Sequence, residues 1–334
     1  MTAADRAGLP VLAEVDRGGF VESWHTGSVV AVDAMGEVTL TVGRPDVPCY
    51  PRSSNKPLQA TAMVRCGLEL PADLLALACA SHSGEPMHVA GVRRLLASVG
   101  LDGSALQCPP DWPLDETARR ERIAAGGEPD RLHMNCSGKH AAMLATCVVR
   151  DWPLDTYLDP EHPLQQRIRA TIEELTGESV VHTGVDGCGA PLFAFSLRGL
   201  ARGYRALGAA AAGTAQRRVV AAFLAYPELT SGTRRDEARL MRGIPGLLDK
   251  GGAEAVDALL LPDGSALAVK IADGSQRART PVTVAALRTL GYDAAILDDL
   301  ATALVLGAGR PVGEIRVAEG FARLRAGLRS NPAR

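Results

Sequence analysis

Lysine is scarce in this chain. Of 36 Lys and Arg residues only four are lysine, namely Lys56, Lys139, Lys250 and Lys270. Arginine keeps its proton in any protein environment, whereas lysine gives it up when its surroundings disfavour the charge. The few lysines are therefore candidates for work that needs a neutral amine; leftover surface charge is the alternative for each taken singly. Aromatic residues are also sparse, at 4%, which leaves a core of Ala, Val and Leu. There is no basic run, and a formal net charge of -2 gives no electrostatic case for nucleic acid. No apolar stretch approaches the roughly 18 residues of a helical membrane span. The N-terminal segment MTAADRAGLPVLAEVDRGG has no apolar run of the secretory type, so a cytoplasmic protein is expected. Seven cysteines, scattered without a framework of short spacings, are expected as thiols or metal ligands rather than disulfides.

At 334 residues, with 46% hydrophobic and 22% charged, the composition is that of an ordinary globular protein of one large domain or two smaller ones. VLAEV, FVESW, SVVAVDA and EVTLTVG read as strands, with turns at Arg17-Gly18-Gly19 and Met35-Gly36. Apolar spacing of three and four predicts helices over 88–99, 138–149, 163–176, 192–206 and 214–225. Strand character returns over 265–274 and a helix over 281–291. Strands at both ends with helices between predict an α+β fold, the terminal strands forming one sheet covered by helices. A single unit over 1–334 is expected.

Four stretches could carry chemistry. In RSSNKP, Pro57 fits only a first helical turn, so Ser53 and Lys56 fall on one face of a helix start, where positive potential favours a serine anion. A capping serine beside a surface lysine is the plainer reading. ASHSGE, containing Ser81 and His82, closes the apolar run DLLALACA as either a binding loop or a simple helix end. NCSGKH and VDGCG bring two cysteines, a histidine and an aspartate; ligand preference picks Cys136, His140 and Cys188 for zinc, against two buried thiols. Lys270, in VKIADG, faces either solvent or a cleft. The region 225–262, with TSGTRRDEARLM, carries few motif cues and is expected to be structural; with the other three lysines in motifs, Lys250 is left as ordinary surface.

Together and in this order, RSSNKP, ASHSGE, NCSGKH, TGVDGCGAP and VKIADG resemble the asparaginase II family, the Rhizobium etli-type L-asparaginases. That resemblance implies a fold similar to serine β-lactamases and penicillin-binding proteins, and hydrolysis of L-asparagine to L-aspartate and ammonia. It implies two Ser–Lys pairs, Ser53 with Lys56 and Ser81 with Lys270, and a zinc ion held by Cys136, Lys139 and Cys188. Lys139 thus replaces His140 as the third ligand. Arg52, His82, Asp186 and His140 are expected at the substrate, and a homodimer is implied. The β-lactamase relatives carry Lys-Thr-Gly on their last strand, where Lys270 is followed by Ile-Ala-Asp-Gly; no Ser-Asp-Asn counterpart is clear. Both departures argue against β-lactam chemistry. A glutaminase or another serine amidase, since one methylene is worth only about 1–3 kcal/mol in a pocket, and a zinc-binding protein without turnover are the competing readings.

Overall fold

A 13-residue strand, β2 (Phe20–Val32), organises the molecule. The structure, a computed structural model, describes residues 8–321; positions 1–7 and 322–334, at the two ends of the expected unit, lie outside the described residues. The first half of β2 pairs antiparallel with β1 (Val11–Arg17), and its second half with β9 (Ala266–Ile271) on one edge and β3 (Val38–Val42) on the other. Further strands are β4 (Pro48–Cys49), β5 (His182–Val185), β6 (Pro191–Ser196), β7 (Leu248–Gly252), β8 (Val256–Leu260), β10 (Ala303–Gly307) and β11 (Arg310–Val317). The main sheet runs β10-β11-β1-β2-β9-β8-β7, and β4-β6-β5 form a small second sheet. Chain ends therefore meet in one sheet, as the α+β reading requires. Val29 to Val32 in β2 and Ala266 to Val269 in β9 are all buried, as expected of strands covered on both faces.

Helices Lys56–Arg65, Ser137–Arg150, Pro163–Thr176 and Leu197–Ala209 pack into the adjoining core. The helix expected over 192–206 divides. PLFAFS is buried at every position and pairs as β6, and the helix begins only at Leu197, where Ser196 caps it by accepting from Gly199 N–H at 2.9 Å. Propensity for the preceding six residues yields to sheet pairing. The 225–262 region is not featureless either: it holds the helix Asp236–Gly243 and the hairpin β7–β8. Among the described residues no helix is long and apolar enough to cross a membrane.

Strand β7 is the sheet edge that meets the Ser-x-x-Lys turn. Arg52–Asn55 form a 3₁₀ turn that leads directly into the helix at Lys56. A side chain on Gly252 would place its Cβ 2.7 Å from the Pro51 carbonyl oxygen and 3.0–3.2 Å from the Ser54 and Ser53 nitrogens. Backbone lies against backbone, with nothing flexible to give way. Gly252→Ala is expected to destabilise the fold by about 1–3 kcal/mol, read as a lowered Tm; an unchanged Tm would show that strand and turn are not in rigid register.

Candidate active site

The centre of the site is the hydroxyl of Ser81, which follows the helix Ala72–Ala78. Lys56 Nζ lies 3.0 Å from Ser81 Oγ and Lys250 Nζ 3.2 Å from it. Both lysines are 1% exposed. Lys56 also donates to the Ala80 carbonyl and to Cys136 Sγ, and Lys250 to the Gly251 carbonyl at 2.6 Å. Burial, with Lys56 as a like charge nearby, pushes Lys250 down to about 7, so near neutral pH it is available as an amine with a free lone pair. A hydroxyl that accepts from Lys56 can then donate to Lys250.

Here the structure corrects the expected partner. Lys250, read as surface charge, stands at Ser81. Lys270, expected there, donates to the Glu254 and Ile271 carbonyls, the former at 2.6 Å, and borders a separate small pocket with Arg44 and Cys49. The reason is topological. Lys270 lies on β9, two strands in from the edge, opposite Ser28 and Val256; the edge strand β7 is the one that lies closest along the Ser53 turn. The sequence did hold a signal, since Lys250-Gly251-Gly252 has the Lys-x-Gly spacing that Lys270 lacks.

Ser53 is half-buried and lines, with Ser81, a cleft of about 530 Å³. Three residues apart across a 3₁₀ turn, Ser53 and Lys56 nearly eclipse, yet Lys56 Nζ is spent on Ser81, Ala80 and Cys136. Arg52, immediately before, holds φ at +53°, a left-handed conformation that costs a non-glycine residue of order 1 kcal/mol. Its Nε donates to Asp186 Oδ1 at 2.8 Å, an anchor that offsets the strain. Burial would raise the Asp186 carboxyl, but Lys139 and then Arg52 hold it below its ordinary value.

The two expected histidines differ: both ring nitrogens of His82 are spent within the fold, whereas among the described residues His140 Nε2 has no hydrogen-bond partner. His82 is fully buried, with Nε2 2.8 Å from Ser137 Oγ and Nδ1 accepting from Gly84 N–H; burial keeps it neutral. His140 is equally buried, and its Nδ1 lies 2.7 Å from the Tyr157 hydroxyl. Burial, followed by the Lys139 charge, pushes it down to about 3.

Cys136, Lys139 and Cys188 do come together. Lys139 Nζ donates to Cys188 Sγ at 3.1 Å. The Cys136 thiol, which can also reach Asn135 Oδ1 at 3.1 Å, donates to Cys188 and with Lys139 holds that thiolate down to about 5. Cys136 itself is pushed up to about 12 by its bond to Cys188 and by burial. Burial would lower Lys139, but the two sulfurs outweigh it and raise the ammonium. Among the described residues no group of three His, Cys, Asp or Glu side chains is placed to hold a metal ion, so the His140 ligand set is set aside. Two sulfurs and one amine nonetheless fit the soft-to-borderline donors zinc accepts, provided Lys139 and Cys136 give up their protons.

A serine hydroxyl between two buried amines, in a cleft shared with a second serine, defines a site of the hydrolase class. The chain belongs to the L-asparaginase II family, whose model matches residues 13–317. No curated protein matches it. Among solved structures it is similar to a β-lactamase from Desulfarculus baarsii (16% identity, 75% of this chain and 84% of that one, TM-score 0.34). It is also similar to a β-lactamase from Mycobacterium bovis (16% identity, 84% and 95%, TM-score 0.37).

Lys250 carries a stability signature. Its ordinary value is 10.5 and its folded value about 7. Between those pH values the unfolded chain binds a proton that the folded chain does not, so this group makes stability rise with pH across that window. Lys250→Met removes a deficit of up to about 4 kcal/mol near pH 7. It is expected to raise Tm there, with the gap over wild type closing by pH 10. A lowered Tm at pH 7.5 would mean that Lys250 is charged and paired in the fold.

Proposed function

We propose that the protein is an L-asparaginase that hydrolyses the side-chain amide of L-asparagine through a serine acyl-enzyme. The observation that carries the reading is the convergence of Lys56 and Lys250 on Ser81 Oγ at 3.0 and 3.2 Å, in a chain of the L-asparaginase II family.

Ser53 is the attacking hydroxyl. It is the more open of the two serines, its oxygen is not held by Lys56, and it begins the turn into a helix, where backbone N–H groups and positive potential support an anion. As its oxygen bonds to the amide carbon, its proton passes into the relay of Ser81, Lys56 and Lys250. The tetrahedral intermediate collapses as the leaving nitrogen takes a proton from the relay and departs as ammonia. Water then attacks the Ser53 ester, giving up a proton to Lys250; as the acyl–oxygen bond breaks, the relay returns that proton to Ser53 Oγ and aspartate leaves. Arg52 and Asp186 fix the approach to Ser53. A zinc ion held by Cys136, Lys139 and Cys188 would supply positive charge that orients the substrate; the chain's own amines move the protons. Lys270 has no part in this relay.

Ammonia release from asparagine tests the reading. Ser53→Ala, Ser81→Ala and Lys250→Met are each expected to lower kcat/KM by about 10²–10⁴-fold, and Ser53 is expected to carry the acyl adduct when the reaction is quenched. The rate should rise as pH passes through about 7, where Lys250 loses its proton. Near-normal rates in all three variants would end the proposal, and glutamine preferred over asparagine would favour the glutaminase alternative.

Metal content is a separate measurement. Zinc is expected at about one ion per chain and to be lost in Cys188→Ser and Lys139→Met, with folding retained by circular dichroism; zinc-free active enzyme would remove it from the site.

A further inference from the structure

TSGTRRDEARLM, which carries few motif cues, forms part of the cleft. Glu237 is 1% exposed, and two guanidinium groups share its carboxylate. Arg279 Nη1 donates to Oε1 at 2.9 Å, while Arg235 donates from Nη2 at 3.2 Å and from Nε at 3.3 Å. Arg279 Nη1 also lies 3.6 Å from Asp257 Oδ1. Room for this clamp exists because position 251 is glycine: a Cβ there would fall 1.5 Å from Arg279 Nη1 and 2.4 Å from Glu237 Oε1. The clamp therefore rests on the peptide next to Lys250, whose amine donates to the Gly251 carbonyl. Arg235, Glu237 and Arg279 border the same cleft as Ser53 and Ser81.

We propose that the Arg235–Glu237–Arg279 clamp is a positioning element that sets the electrostatic potential at the Lys250 amine, and with it the pH at which the site becomes active. This rests on Lys250 acting as the base of the asparaginase reading. Several elements supply charged groups that act on Lys250. Lys56, Arg235 and Arg279 oppose its proton, and Glu237 favours it. Cys79, buried at the end of the helix Ala72–Ala78, is held neutral. Asp249, raised by burial and by Asp257 beside it, keeps its proton and adds no charge. The clamp is thus a carboxylate and two cations balanced around one amine, and removing either sign should move that amine in opposite directions.

The test is the acid limb of kcat/KM for asparagine, which reports groups of the free enzyme. In Glu237→Gln the limb is expected to shift to lower pH, and in Arg235→Gln to higher pH, each by between about half and one unit. A merely structural role would depress the rate at all pH values and leave the limb in place. Limbs unmoved in both variants, or moved in the same direction, would overturn the inference. Should Glu237→Gln fail to fold, Arg235→Gln decides alone: a limb that does not rise is a refutation. The Lys250 reading fails separately, if the wild type has no acid limb near pH 7 or Lys250→Met keeps its rate.

Discussion

The site depends on keeping two amines out of water against one hydroxyl. An isolated buried ammonium is costly enough that the proton is shed instead, and this leaves Lys250 an amine with a free lone pair without any special chemistry. Three separate parts of the chain must meet for that to happen. The helix begun by the 3₁₀ turn brings Lys56, the end of the helix Ala72–Ala78 brings Ser81, and the edge strand β7 brings Lys250. Arginine could not stand in for Lys250, because it would remain charged. The near absence of lysine elsewhere fits this division of labour.

Neighbours, not burial alone, decide what a buried lysine does. Lys139 and Lys250 are almost equally hidden, at 2% and 1% exposed. Lys139 faces the sulfurs of Cys136 and Cys188 and the Asp186 carboxylate, so it stays charged. Lys250 faces Lys56, Arg235 and Arg279, with Glu237 opposing them, so it does not. One residue type thus supplies a cation on one side of Ser81 and an amine on the other. Lys56 joins the two halves, because its Nζ touches both Ser81 Oγ and Cys136 Sγ. A change in the charge of either sulfur would be felt at the serine through that single ammonium group.

Much of the fold was legible because it rests on local pattern. The alternation in EVTLTVG, the short apolar run SVVAV closed by the turn at Met35-Gly36, and the three-and-four spacing of PLQQRIRATIEELT each point to one element type, and the pairing of terminal strands followed from their placement. PLFAFS was not legible, since six buried residues in a row fit a helix as well as a central strand. The sequence did single out Ser53, Lys56 and Ser81 and the grouping of Cys136, Lys139 and Cys188, although Lys56 bonds to Ser81 and not to Ser53. It failed where sheet order decides. Lys250 and Lys270 both sit in strands, and only the path β2-β9-β8-β7 tells which of them reaches the Ser53 turn. His82 misled for another reason: a polar residue next to a motif looks functional until its hydrogen bonds are counted, and both its ring nitrogens are spent, on Ser137 and Gly84.

The placement of Lys250 on an edge strand has a further consequence. An edge strand normally leaves backbone groups free, and here the edge is covered by the 3₁₀ turn Arg52–Asn55 instead of by more sheet. Close cover needs residues without side chains on β7, so the amine is followed by two glycines, one leaving room for the Arg279 guanidinium and the other for the backbone of Ser53 and Ser54. Those glycines weaken the strand they belong to, and Arg52 adds a strained φ on the facing turn. Local stability is therefore given up on both sides of the contact, and the ion pairs Arg52–Asp186 and Arg279–Glu237 lock the two sides where helices and strand alone would leave them loose. The polar network around the cleft is best understood as the fastening of that seam: it holds a neutral amine and a half-open serine in register at the point where the sheet has least to hold them.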